Sequence, residues 1–169
     1  MATVKLGDTS VTLNGELPKP GSAAPNFSLV STELKDVSLK EFQGKKKLLN
    51  IVPSLDTPTC ALSTKKFNEH AKANPDTVMF MISADLPFAQ KRFCGVEGLA
   101  NVIPLSTMRG REDFARGYGV MFVDGPLAGI TARAVVVIDA NDKVVYTELV
   151  ENVSDEPDYN KALEALEKA

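Results

Sequence analysis

The stretch "KKLLNIVPSLDTPTCALSTKKFNEHAKANPDTVMFMISA", residues 46–84, decides how the rest of the chain is read. Residues 46–52 form an apolar run short enough for a buried strand, and 77–84 form a second. Between them, residues 61–73 are rich in helix formers, and Asn74-Pro75 stops the run. Strands joined through a helix lie parallel in one sheet. Cys60 stands where the turn after the first strand gives way to the helix. Most unpaired cysteines are small buried hydrophobes. A helix N-terminus, however, is also where thiolates are stabilised. The remaining sequence has to choose between these readings.

Working outward, residues 3–13 alternate in the strand manner about a Gly7-Asp8 turn, a hairpin signal. "PKPGSAAP" (18–25) is a loop, and "FSLVS" and "DVSLKEF" read as short strands or strand ends. After 77–84, Asp85 reads as an N-cap with Pro87 in the first turn. That helix is expected to run through Cys94 and stop at Gly95. "NVIPLS" is a further strand, "REDFARGYG" a turn or two of helix, and 133–150 two strands about an Asn141-Asp142 turn. In "EPDYNKALEALEK", Tyr159, Ala162, Leu163 and Leu166 recur at helical spacing. The expected fold is α/β: a mixed central sheet flanked by helices, the thioredoxin-like layout, with an N-terminal β-hairpin. Residues 1–169 read as one domain, with no repeat or low-complexity segment.

Composition narrows the function classes. The 169 residues are 44% hydrophobic and 24% charged, with a formal net charge of −3. Such a balance offers no electrostatic basis for binding nucleic acid or anionic membranes. Lys45, Lys46 and Lys47 read as a solvated turn. The opening residues lack the pattern of a secretory leader, and no segment approaches about 18 apolar residues, so a cytoplasmic location is the expectation. Two cysteines do not make a disulfide scaffold.

What Cys60 does depends on its neighbours, because the reactive species is the thiolate. Three features of the sequence could supply one. The helix amides and dipole are the first. The Thr57 hydroxyl, placed in the same turn, is positioned to bond the sulfur or an oxygen bound to it. Arg133, opening an otherwise apolar strand, is the third, since arginine at such a place calls for a partner. Other chemistries fit less well. Cys60 and Cys94 are far apart and His70 is the single histidine, so neither a metal nor another cofactor is expected. His70 lies about 15 Å further along the same helix at about 1.5 Å per residue, which rules against a Cys–His hydrolase. A dithiol exchanger wants Cys-x-x-Cys, whereas "CALS" has Ser63 in the second position.

Pro53, Thr57 and Cys60 in "PSLDTPTC" match the Pro-x-x-x-Thr-x-x-Cys signature of the peroxiredoxins. "SLDTPTCALSTKKFN", "ISADLPFAQKRFCG" and "ARAVVVIDANDKVVYTELV" resemble the bacterial thiol peroxidase subfamily, an atypical two-cysteine group. The hairpin and "EPDYNKALEAL" fit as well, so the resemblance spans nearly the whole chain.

The resemblance implies a thiol-dependent peroxidase acting on hydrogen peroxide and organic hydroperoxides in antioxidant defence. Cys60 would be the peroxidatic cysteine. Thr57 and Arg133 would hold the peroxide oxygens, and Pro53 would shield the sulfenic acid. Cys94 would resolve that acid as an intramolecular disulfide; read without the resemblance, it is a small residue packing beside Phe93. Thioredoxin would be the reductant, and similar proteins are homodimers. Phe27, Phe88 and Phe93 read as core more readily than as pocket. A peroxide-sensing relay and a non-catalytic binding module of the same fold stay open.

Overall fold

The computed structural model describes residues 1–169. The two apolar runs become neighbouring parallel strands, β5 (Lys46–Ile51) and β6 (Thr77–Ser83), in register from Lys46 opposite Thr77 to Ile51 opposite Ile82. Helix α1 (Pro58–Ala73) makes the crossover. Around this unit a seven-stranded sheet runs in the order β4-β3-β7-β6-β5-β8-β9. Its other strands are β3 (Ser28–Ser31), β4 (Asp36–Ser38), β7 (Ile103–Ser106), β8 (Ala134–Ile138) and β9 (Val144–Leu149). Only β5-β6 and β6-β7 are parallel; the remaining pairs are antiparallel, so the sheet is mixed. Helices α2 (Pro87–Glu97), α3 (Arg111–Tyr118) and α4 (Tyr159–Lys168) complete the layers. The hairpin β1 (Thr3–Leu6) and β2 (Thr9–Thr12) forms a separate two-stranded sheet.

The central strands read as continuous apolar runs because both faces of the sheet are covered. Leu49 and Ile51 of β5 join Phe27, Phe80, Phe114 and Tyr118 on one face, while Leu48 joins Phe67, Val135 and Leu166 on the other. On the first face, Phe27 sits edge-on to Phe80 and Phe114, with ring centroids 6.0 and 5.8 Å apart, an arrangement that aromatic quadrupoles favour. The hairpin buries Val4, Val11 and Leu13 against Phe122, Ala132 and Val153, which brings it beside the loop after β9.

Four expectations change. "DVSLKEF" is strand only as far as Ser38; Leu39–Phe42 is a 3-10 turn closed by a Ser38–Glu41 capping box. Lys47 is not in a solvated turn. It is fully buried in β5, with its ammonium group paired to Asp142 in the β8–β9 turn. Helix α2 does not stop at Gly95. It continues to Glu97 and ends at Gly98, whose left-handed φ of 69° suits glycine. Its N-cap is Leu86 rather than Asp85. Cys94 therefore lies inside the helix and does not close it.

Gly119, which ends α3, tests the packing. Its φ is +65°, and a Cβ there would press into the Glu16 backbone. Gly119→Ala is expected to lose at least about 2 kcal/mol of stability, combining left-handed strain with a clash. A urea melt of the reduced protein measures this, and an unchanged midpoint would contradict the packing described.

Candidate active site

Strand β5 runs out at Ile51, and Val52 and Pro53 follow it, both buried. The loop from Ser54 to Thr57 then turns the chain into α1. Thr57 is the N-cap in extended conformation, with φ −96° and ψ 144°, and Pro58 follows at the first helical position. Proline suits that position because its missing N–H would have no helical partner there. Cys60 thus lies in the first turn, where backbone amides lack helical acceptors. Its side chain is fully buried, in a small cluster with Val52, Leu55 and Met81.

Arg133, from just before β8, meets Cys60 in this pocket. Its Nη1 donates to the Cys60 sulfur at 2.9 Å, and its Nε donates to the Val153 carbonyl at 2.8 Å. The guanidinium residue is only 2% exposed. No carboxylate lies within salt-bridge distance of it. An unpaired buried cation is costly, and a Cys60 thiolate is the anion this arrangement accommodates. The loop after β9 supports both partners, since Ser154 also accepts the Thr59 hydroxyl through its carbonyl at 3.0 Å.

Thr57 departs from its expected contact. Its hydroxyl donates to the Ser54 carbonyl at 3.1 Å, not to the sulfur. Thr57 also lines the groove between α1 and α2, and its hydroxyl keeps free lone pairs and a hydrogen that rotation about the Cβ–Oγ1 bond redirects. Pro53 is buried beside Val52, an apolar wall with no N–H.

Cys94 on α2 is a half-buried free thiol that packs against the cluster containing Cys60. Burial pushes its pKa up to about 11, so near neutral pH it is a protonated thiol. Phe93 packs against the same cluster. Phe27 belongs to the core as expected, but Phe88 does not, being 68% exposed. Between the start of α1 and the end of α2 lies a groove of about 320 Å³, lined by Leu55, Thr57, Phe93 and Val96 together with the charged Asp56, Arg92 and Glu97. It opens beside the first turn that holds Cys60. No cluster of histidine, cysteine or acidic side chains is arranged to hold a metal ion.

Two contributors escaped the sequence reading. The Val153 carbonyl, which aims Arg133, carries no side-chain signal. Asp85, read as a helix cap, instead directs its carboxylate at the loop before α1. Its Oδ1 accepts from the Ser54 hydroxyl and its Oδ2 from the Leu55 amide, each at 2.8 Å.

The chain is similar to known proteins over nearly its whole length. The redoxin family model matches residues 19–163. The thiol peroxidase of Mycobacterium tuberculosis is 51% identical over 166 residues, covering 98% of this chain and 99% of that protein. The thiol peroxidase of Mycobacterium bovis matches with the same identity and coverage. Among solved structures, a peroxiredoxin-like protein from Aquifex aeolicus superposes with a TM-score of 0.92 at 38% identity, covering 98% of this chain and 96% of that one. Thiol peroxidase from Chromobacterium violaceum superposes with a TM-score of 0.88 at 30% identity, covering 98% and 95%. The buried cysteine beside a buried arginine, on this fold and with these relatives, identifies the chain as a member of the redoxin family and a thiol-dependent peroxidase of the peroxiredoxin type.

Proposed function

We propose that Cys60 is the peroxidatic cysteine, Cys94 the resolving cysteine, and Arg133, Thr57 and Pro53 the groups that shape the peroxide pocket. The observation that carries this reading is the 2.9 Å contact between the Arg133 guanidinium and the Cys60 sulfur, two side chains with almost no exposure. The Cys60 thiolate attacks the nearer peroxide oxygen. An S–O bond forms as the O–O bond breaks, and the leaving oxygen takes up a proton and departs as water or an alcohol. Arg133 offers fixed charge and several donors to the oxygen that gains electron density. Thr57 offers its hydroxyl to the same oxygens, and Pro53 keeps bulk water from the sulfenic acid.

Resolution joins the two sulfurs. The Cys94 sulfur displaces hydroxide from the Cys60 sulfenic acid, water leaves after protonation, and an intramolecular disulfide remains. A disulfide needs α-carbons within about 7 Å and suitably directed β-carbons. Release of the last turn of α2 supplies that freedom and frees the Cys94 thiol from the burial that keeps it protonated. A dithiol then reduces the disulfide by exchange, and thioredoxin is the reductant we assign. The groove combines apolar Leu55, Phe93 and Val96 with charged Asp56, Arg92 and Glu97, and we assign it both hydrogen peroxide and alkyl hydroperoxides as substrates. We place the protein in the cytoplasm as a homodimer of single-domain chains, acting in antioxidant defence. No helix is long and apolar enough to cross a membrane.

Replacement of Cys60 by serine is expected to abolish peroxide consumption in an assay with thioredoxin and its reductase, because serine forms no comparable nucleophile near neutral pH. More than a trace of wild-type turnover would overturn the assignment of Cys60.

Arg133→Ala is expected to slow the reaction with peroxide by an amount worth about 2.7–4 kcal/mol, the scale seen when a charge-stabilising donor is lost. Rapid-mixing kinetics on the reduced, folded variant measure it. A wild-type rate would place Arg133 outside the reaction.

Cys94→Ser separates the two halves of the cycle. The first reaction with peroxide is expected to stay fast, the sulfenic acid to persist and react with a dimedone-type trap, and turnover with thioredoxin to collapse. In the wild type, mass spectrometry should find the Cys60–Cys94 peptide pair in a monomer on a non-reducing gel. A covalent dimer as the main oxidised form would show resolution between subunits instead.

A further inference from the structure

One carboxylate ties together the two segments that bear the cysteines. Asp85 follows β6, between the strand end at Ser83 and the start of α2 at Pro87. Its Oδ1 accepts the Ser54 hydroxyl at 2.8 Å, and its Oδ2 accepts both the Leu55 amide at 2.8 Å and the Ser83 hydroxyl at 2.7 Å. Its carbonyl accepts the Ser106 hydroxyl at 2.6 Å, which fixes the residue to the end of β7. No lysine or arginine pairs with it. The carboxylate is held only by neutral donors, and two of the three come from the loop that leads to Cys60.

The consequences run in both directions from Asp85. On the loop side, Ser54 is the residue whose carbonyl accepts the Thr57 hydroxyl at 3.1 Å and the Thr57 amide at 3.4 Å. Holding Ser54 therefore orients the hydroxyl of Thr57, a residue that lines the groove beside the first turn of α1. Holding Leu55 fixes a member of the apolar cluster around Cys60. On the helix side, the Ser83 hydroxyl that donates to Asp85 accepts from Gln90 Nε2 at 3.1 Å, and Gln90 Nε2 also donates to the Leu105 carbonyl at 2.9 Å. Gln90 is fully buried on α2, one turn before Cys94.

We propose that Asp85 is a positioning residue for the peroxidatic site, a latch that sets the loop at 54–57 and the first turn of α1 against the helix carrying Cys94. The proposal rests on the reading of Cys60 as the peroxidatic cysteine. The latch acts on the step in which peroxide meets Cys60, because that step needs the loop in place. It does not assist disulfide formation, for which α2 must move. Loss of the latch is therefore expected to slow the first step and leave the second as fast or faster. General destabilisation of the fold has no reason to divide the two steps in this way.

The test follows reduced full-length protein after rapid mixing with hydrogen peroxide and with cumene hydroperoxide, quenching at intervals and reading Cys60 sulfenic acid and the Cys60–Cys94 disulfide by mass spectrometry. Asp85→Ala is expected to slow sulfenic acid formation about 10- to 100-fold, the scale of a small misplacement of reacting groups, with no slowing of the disulfide step. Asp85→Asn keeps an acceptor for Leu55 and Ser83 and donates to the Ser54 oxygen, so it is expected to recover to within about threefold of wild type, the scale of one altered hydrogen bond. If Asp85→Ala fails to fold, Ser54→Ala decides, with an expected slowing of about 2- to 10-fold for one lost bond. A wild-type first-step rate in Asp85→Ala, or in Ser54→Ala where the first variant does not fold, overturns the latch. Equal slowing of both steps overturns it as well, by making the effect merely structural. A wild-type protein that is not oxidised first at Cys60 removes the underlying reading, and that outcome is seen before any variant is compared.

Discussion

A guanidinium with almost no access to water lies 2.9 Å from a cysteine sulfur, and no carboxylate offsets it. A buried charge is retained only when the surrounding structure supplies an opposite charge or several hydrogen bonds. Here protein groups supply two partners, the Val153 carbonyl and the Cys60 sulfur. The arrangement suits an anion at the sulfur and any negative charge that develops beside it. Charge of that kind appears on a peroxide oxygen as its O–O bond breaks. Groups placed in advance at such a position, in a site without water, need no reorganisation when the reaction occurs.

Keeping those two side chains together is work shared by elements distant in sequence. Cys60 is delivered by the crossover from β5, and Arg133 by the residue before β8, which pairs with β5 in antiparallel register from Lys47 opposite Ile138 to Ile51 opposite Ala134. Sheet pairing thus brings the two ends of the site to the same edge of the core. The loop after β9 closes it, with Val153 turning the guanidinium and Ser154 holding Thr59 in the first turn of α1. The hairpin packs against this loop through Val4, Val11 and Val153, and Lys5 exchanges backbone hydrogen bonds with Glu151 and Val153. An N-terminal segment with no catalytic group of its own is therefore part of what fixes Arg133.

The parts legible in the sequence were those set by local pattern. The strand–helix–strand unit, the placement of Cys60 near a helix start, the β8–β9 pair and the amphipathic α4 all follow from periodicity, proline placement and turn residues. Contacts between distant segments were not legible. Lys47 looks like the end of a basic turn because its partner, Asp142, lies in another hairpin. Asp85 has the position and chemistry of an N-cap, yet the Ser54 hydroxyl, the Leu55 amide and the Ser83 hydroxyl compete for its oxygens and prevail. Gly95 looks like a stop, but an exposed glycine within a helix costs only about 1 kcal/mol relative to alanine, and the chain passes through it to Gly98, where the left-handed turn occurs. The Arg133–Cys60 pair was suggested by the oddity of an arginine opening an apolar strand; its geometry needed the fold.

The extension of α2 beyond Cys94 bears on how the second cysteine is used. The N-terminal half of the helix is held firmly: Pro87 is buried, and the buried Gln90 bonds to Ser83 and Leu105. Beyond Cys94 the helix is held weakly. Gly95 offers no side chain, Val96 is 78% exposed, and Glu97 contributes a surface pair with Lys65, an interaction worth little. The amides of Gly98 and Leu99 that close the helix both donate to the carbonyl of Cys94 itself. Displacing Cys94 therefore dissolves the cap, and the next buried anchor is Leu99, which belongs to the core cluster with Leu48 and Phe67. While the turn stays wound, burial keeps the Cys94 thiol protonated and inert beside the pocket. Unwinding, as the proposed resolution step requires, would expose the thiol to water, remove the burial that raises its pKa, and free its α-carbon to approach Cys60. On the proposed assignment of Cys60 and Cys94, one local transition would both activate the resolving thiol and bring it within reach, and a closed helix would leave Cys60 to react with peroxide first.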